Sequence, residues 1–97
     1  MLNNKTILIT GGTGSFGNEF IDYLIKKKIK FKKIIIFSRD EYKQFEMRKK
    51  YSKSILKNLR FFLGDIRDKN RLKLAFNNVD IVIHAAALKH VPVAEYN

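Results

Sequence analysis

No cysteine occurs in the 97-residue chain, which removes disulfides, thiolate zinc sites and a cysteine nucleophile together and fits a reducing compartment. Proline occurs once, at Pro92, and glycine five times, while hydrophobic residues reach 45% and charged residues 30%. That balance excludes a disordered or low-complexity chain and predicts one packed core. At this length residues 1–97 form a single domain at most. No apolar run approaches the roughly 18 residues of a membrane span. The opening Met1-Leu2-Asn3-Asn4-Lys5 leads into a strand-like segment without a signal peptide's long apolar stretch, so the expected compartment is the cytoplasm, with no membrane partner. The two histidines, His84 and His90, have no carboxylate cluster at ligand spacing, and no metal site is expected.

Acidic residues are also few: 9 against 20 basic ones, a formal net charge of +11. Clustered basic charge attracts a phosphate backbone. Here, however, 15 of the 20 cations are lysines and five are arginines, whereas bidentate guanine and phosphate contacts favour arginine. No nucleic-acid partner is therefore expected. The densest run, Lys26 to Lys33, lies between two predicted elements, where lysine complements the negative end of a helix.

The chain alternates strand-like and helix-like segments. Lys5 to Thr10 is a β-branched apolar run that stops at a glycine cluster, a pattern that predicts a strand buried on both faces. Phe16, Phe20, Tyr23, Leu24 and Ile25 predict a helix over 15–28. Ile34 to Phe37 predicts a second strand, and Asp40 can cap a helix over 40–50. Residues 52–58 show no clear period. Leu59 to Leu63 predicts a third strand, Asp68 opens a short helix through Phe76, and Val79 to His84 predicts a fourth strand. Ala85 to Ala87 reads as a turn, and Pro92 suits the first turn of a further helix. The β-α-β-α-β-α-β order predicts an α/β Rossmann-like doubly wound parallel sheet with strand order 3-2-1-4.

Thr10 to Gly17 lies between the first strand and the first helix, the context that a dinucleotide-binding glycine loop requires. Gly11 holds the place of the tight turn, Gly14 that of close backbone approach to a pyrophosphate, and Gly17 that of close helix packing. At the end of the second strand, Ser38 stands where an acid would grip the ribose 2′-hydroxyl of NAD. Arg39 follows with a planar cationic fork, and this favours NADP. Asp40 is accounted for by capping alone. Gly64-Asp65-Ile66 can lie against an adenine, with Asp65 accepting from its amino group.

Thr10 to Gly17, with its Thr-Gly-x-x-Gly-x-x-Gly spacing, resembles extended short-chain dehydrogenase/reductases. Ser38 to Gln44, Phe61 to Asp68 and His84 to Asn97 are similar to one branch of them, the inverting, soluble UDP-N-acetylglucosamine 4,6-dehydratases of polysaccharide biosynthesis and flagellin glycosylation. The resemblance implies an NADP-retaining lyase acting on UDP-N-acetylglucosamine. A hydride leaves C4 for NADP+, the C5 proton becomes acidic, water departs from C6, and the hydride returns to C6. It further implies that Thr13, Gly14, Ser15 and Phe16 line the pyrophosphate. Ser38, Arg39, Asp40, Glu41, Tyr42 and Lys43 would surround the adenosine phosphate, Asp65 and Ile66 the adenine, and Ala85 the ribose side with Ala86 beside it. Lys89 would reach both cofactor and substrate; by position alone it is one lysine among fifteen.

Such enzymes need a tyrosine with a lysine four positions on, held on a later helix. Here Tyr23 and Lys27 have that spacing but fall on the first helix, and no catalytic residue is assigned within the chain. The chain therefore reads as the amino-terminal portion of the cofactor domain, with a homo-oligomer implied for the full-length enzyme. An epimerase of the same superfamily and a non-catalytic dinucleotide sensor are the alternatives. In the 3-2-1-4 order the fourth strand is an apolar edge, which predicts marginal stability or self-association.

Overall fold

The computed structural model describes residues 2–85. Strands β1 (Thr6–Thr10), β2 (Lys33–Ser38), β3 (Leu59–Leu63) and β4 (Ile81–His84) form one parallel sheet in the order β3-β2-β1-β4, as the sequence predicts. Helices α1 (Ser15–Lys26), α2 (Glu41–Lys50), α3 (Lys53–Leu56) and α4 (Lys69–Ala75) occupy the connections. The turn expected over residues 85–87 and the helix expected at Pro92 lie, beyond Ala85, outside the described residues.

The central strands read as continuous apolar runs because both of their faces are covered. Ile7 and Ile9 pair in register with Ile34 and Ile36, and this face packs against Ile21 and Leu24 of α1 and Met47 of α2. Leu8, Ile35 and Phe37 face the other way, with Phe62 of β3, onto Ala75 of α4. Burying a side chain of this size contributes about 1.5–3 kcal/mol, so the five residues of β1 and their partners on β2 anchor the domain.

Local chemistry sets the ends of the helices. The Asp40, Ser52 and Asp68 side chains each accept a hydrogen bond from the third residue of the helix that follows, at Lys43, Ile55 and Arg71. α1 stops two residues earlier than its apolar period suggests. Lys28 takes a left-handed φ of 56°, and the Ile29 N–H closes the last turn onto the Leu24 carbonyl at 2.9 Å. α3 lies in the segment without a clear period; its Ser52 cap gives it a start. α1 and α2 are joined at the surface by polar contacts. Tyr51 donates to Asp22 at 2.9 Å, and Lys50 reaches Asn18 at 2.7 Å. Partial burial, together with the Asp22 carboxylate, pushes the Tyr51 phenol above its ordinary range.

β4 begins at Ile81, two residues later than predicted, because Val79 is spent on a turn back to Phe76. Asp80 then meets Thr6 twice: its N–H donates to the Thr6 carbonyl at 2.8 Å, and its carboxylate accepts from the Thr6 N–H at 2.8 Å. This clamp fixes the β1–β4 register at Ile7 and Ile81.

The two sheet edges differ. On β3, Arg71 donates through Nε to the Leu63 carbonyl at 2.8 Å, and Arg60 lies over the Phe62 ring, so cations guard that edge. Among the described residues no strand pairs with the outer side of β4, whose Val82 is 38% exposed. We expect the 97-residue chain to self-associate through this edge, with a weight-average mass that climbs with concentration in sedimentation equilibrium. Val82→Lys should suppress that rise; a wild-type chain that stays monomeric at every concentration would contradict the assignment.

Candidate functional site

An open cavity of about 910 Å³ lies at the carboxyl ends of β1, β2 and β3. In open parallel sheets ligands bind there, beside the point where the strand order reverses, here between β1 and β4.

The β1–α1 loop forms one wall. Gly11 has φ 66°, which few side chains tolerate, and its N–H donates to the Phe37 carbonyl at 2.8 Å, tying the loop to the end of β2. Gly11, Thr13, Gly14, Ser15 and Phe16 all line the cavity. Gly17 does not; it is buried, and a Cβ there would sit 1.9 Å from the Gly12 carbonyl oxygen. Its place in the glycine spacing is thus explained by the approach of α1 to its own loop. Gly14 is different, since a Cβ there would make only an ordinary contact with the Gly11 carbonyl oxygen at 3.4 Å.

Gly14 is also the N-cap of α1 and has no side chain to accept from the first-turn amides, whereas α2, α3 and α4 each have a side-chain cap. The unpaired N–H groups and the positive end of the helix dipole therefore border the cavity, and an anion can satisfy them. Asn18 steadies the loop by donating to the Thr13 and Gly14 carbonyls at 3.2 and 3.0 Å.

The second wall comes from the ends of β2 and β3. Ser38, Arg39, Asp40 and Lys43 line the cavity. Glu41 and Tyr42, which the resemblance groups with them, do not. Tyr42 is 69% exposed, and Glu41 borders a separate groove beside β3. The helical turn accounts for this split, because residues 40 and 43 share a face that 41 and 42 leave. Gln44 is buried beneath Ser38 and donates to its Oγ at 3.0 Å, to its carbonyl at 3.2 Å and to the Phe62 carbonyl at 3.2 Å. With its oxygen engaged as an acceptor, the Ser38 hydroxyl keeps its proton to donate elsewhere.

Gly64, Asp65, Ile66 and Ala85 also line the cavity. Ala86 and Lys89 lie outside the described residues. Asp65 is held between two arginines: Nη2 of Arg67 is 2.7 Å away, and Nη1 of Arg39 is 3.3 Å away. Hydrogen bonds from the side chain and backbone N–H of Arg67 hold its carboxyl well below the usual carboxylate range, with Arg39 adding a smaller share. Glu19, Phe37 and Arg67 also line the cavity and were not singled out from sequence. For Arg67 no signal was available, since its role depends on the turn that returns it to Asp65.

His84 ends β4 with Nδ1 3.1 Å from the Thr10 hydroxyl, and Tyr23 lies on α1 outside the cavity lining. Among the described residues no group of acidic, histidine or cysteine side chains is arranged to hold a metal, and no helix is long and apolar enough to cross a membrane.

Sheet order, glycine loop and cavity position define a Rossmann-like α/β fold. The chain belongs to the polysaccharide biosynthesis protein family, whose sequence pattern matches residues 7–97. It is 58% identical over all 97 residues to a UDP-N-acetylglucosamine 4,6-dehydratase (inverting) of Campylobacter jejuni strain 81-176, and it covers 28% of that relative. It is 48% identical over 98 aligned positions, 99% of the chain, to a UDP-glucose 4-epimerase of Rickettsia bellii, of which it also spans 28%. Among solved structures it resembles a dTDP-glucose 4,6-dehydratase from Bacillus anthracis in complex with NAD. The TM-score is 0.64 at 27% identity, covering 82% of this chain and 26% of that one. The chain thus spans little more than a quarter of the length of these relatives.

The two glycines of the loop should separate by experiment. Gly17→Ala is expected to destabilise the fold by about 1–3 kcal/mol through overpacking, read as a lower urea midpoint. Gly14→Ala, which has room for its Cβ but replaces an N-cap glycine, should cost no more than about 1 kcal/mol. Equal losses would show that both glycines serve packing alone.

Proposed function

We propose that this chain supplies the NADP-binding part of a UDP-N-acetylglucosamine 4,6-dehydratase, a cytoplasmic enzyme that is homo-oligomeric at full length and serves surface-glycan or flagellin-sugar biosynthesis. The observation that carries this reading is the cavity. It brings the uncapped start of α1 together with Ser38, Arg39, Lys43 and Asp65, an anion-accepting loop at one wall and cations at the other.

The residues fit a phosphorylated dinucleotide. The amides at Ser15 and Phe16 would take the pyrophosphate, lined by Thr13 and Gly14, and Gly14 lets it approach because no side chain intervenes. Arg39, Lys43 and the proton-bearing Ser38 hydroxyl would take the ribose 2′-phosphate, with Asp65 and Ile66 beside the adenine and Ala85 beside the ribose. Ala86 and Lys89 belong to the same reading, Lys89 toward both cofactor and UDP-sugar. A bound nicotinamide would supply a hydride acceptor for C4 of the sugar, whose hydroxyl also gives up its proton, and a hydride donor to C6 once water has been eliminated across C5 and C6, with a proton restored at C5. The described residues bind and orient the cofactor; none of them is assigned a proton transfer.

The epimerase reading retains support from the Rickettsia relatives, which align over 99% of the chain; the dehydratase relative is ten percentage points more identical. Both use the same cavity.

Isothermal calorimetry of NADP+ and NAD+ tests the cofactor assignment. NADP+ should bind at least tenfold more tightly, a difference of about 1.4 kcal/mol, and Arg39→Ala should bring the two affinities together. Gly14→Ala should weaken both dinucleotides alike. Equal affinity of the wild-type chain for the two would overturn the 2′-phosphate assignment.

A further inference from the structure

We propose that Arg67 is a positioning residue for dinucleotide choice: acting through Asp65, it holds the Arg39 guanidinium at the cavity mouth, ready for a ribose 2′-phosphate. The inference rests on the reading of the cavity as a dinucleotide site and concerns what sets its preference.

The bonds at Asp65 are unequal. Arg67 grips the carboxylate from three directions, with its backbone N–H on Oδ1 at 2.9 Å, its Nε on Oδ1 at 3.1 Å and its Nη2 on Oδ2 at 2.7 Å. Arg39 makes one contact, Nη1 to Oδ2 at 3.3 Å. The carboxylate is therefore oriented by Arg67 in a local turn, and Arg39 is oriented in turn by the carboxylate. A guanidinium carries five N–H donors in a fixed plane. A single bond to Asp65 leaves four of them available, so the tether aims Arg39 without exhausting it.

The tether matters because the Arg39 side chain is 71% exposed and would otherwise sample many rotamers. Restricting it before the ligand arrives removes that entropy cost from binding. Arg39 stands at the end of β2 and Asp65 just beyond β3, and these strands are neighbours through the Ser38–Leu63 pairing. The carboxylate also offsets one of the two guanidinium charges, so the pair can sit together before any phosphate is bound. Exposed ion pairs contribute little to fold stability; the predicted effect is on ligand choice.

The test measures dissociation constants for NADP+ and NAD+ on wild type, Arg67→Ala, Arg67→Gln, Arg39→Ala and Arg39→Ala/Arg67→Ala, with a melting curve for each. Either Arg67 variant should lower the NADP+ over NAD+ preference by about three- to fivefold, the scale of one exposed charged contact, beyond any loss through Asp65 and the adenine that the two dinucleotides share. In the Arg39→Ala background, loss of Arg67 should change nothing more, because it acts only through Arg39. An additional loss there would mean that Arg67 contacts the phosphate directly, overturning the positioning role. An unchanged preference in both Arg67 variants, or a parallel loss of both ligands, would overturn it too, while collapse in Arg39→Ala left the cofactor reading intact. A wild-type chain with no preference would overturn both.

Discussion

The backbone of α1 touches the backbone of the loop that precedes it, at Gly17 on Gly12, and the rest of the site depends on that contact. No side chain fits between them, since a Cβ on Gly17 would lie 1.9 Å from the Gly12 carbonyl oxygen. The close approach puts the start of α1 at the carboxyl end of β1. It also orients the unpaired first-turn amides toward the space that the ends of β2 and β3 enclose. Gly12 is squeezed from the other side, where a Cβ would come within 2.9 Å of the Ile36 side chain on β2. Strand, loop and helix are therefore packed with main chain against main chain, and that contact fixes one wall of the cavity.

Around that unit the fold divides its duties. β1 and β2 bury isoleucines, leucine and phenylalanine on both faces, which makes them stable and chemically silent. The chemistry lies where those strands stop. Ser38, Arg39 and Asp65 sit at or just past strand ends, where the pairing ceases and side chains can turn toward a ligand. Gln44 shows how the two regimes are joined: a buried amide from α2 reaches the ends of β2 and β3 together and satisfies polar groups that would otherwise be stranded at the border of the core.

The strands were legible because parallel strands covered on both faces leave uninterrupted apolar runs, such as Ile7 to Ile9 and Ile34 to Phe37. α2 was legible through its Asp40 cap and its charges, since it buries only Gln44 and Met47. α3 was not, because four residues give no period to detect. In the site, the glycine spacing was readable, for it encodes backbone constraints in residue identity. The split of Ser38 to Lys43 into cavity-lining and outward residues was hidden, because a contiguous motif says nothing of helical phase. The Arg39–Asp65–Arg67 bridge was hidden for a related reason: a residue separation of 26 closes only when β2 and β3 pair.

The high net charge is a weaker guide to function than it first suggests. The lysine run over residues 26–33 joins the end of α1 to the start of β2. Because α1 runs back along the sheet, that run lies at the end opposite the cavity, where Lys32 and Lys33 donate to the Lys5 carbonyl. At the cavity itself the balance is even: Arg39, Lys43 and Arg67 stand against Glu19, Asp40 and Asp65. Asp40 is committed to the α2 cap, and Asp65 is shared by the two arginines. A ligand there meets oriented donors on a locally compensated ground, and over distances beyond about 10 Å the lysine excess is screened by salt. In the proposed reading, selectivity rests on where three cations are held, and a chain with far fewer lysines could hold them in the same place.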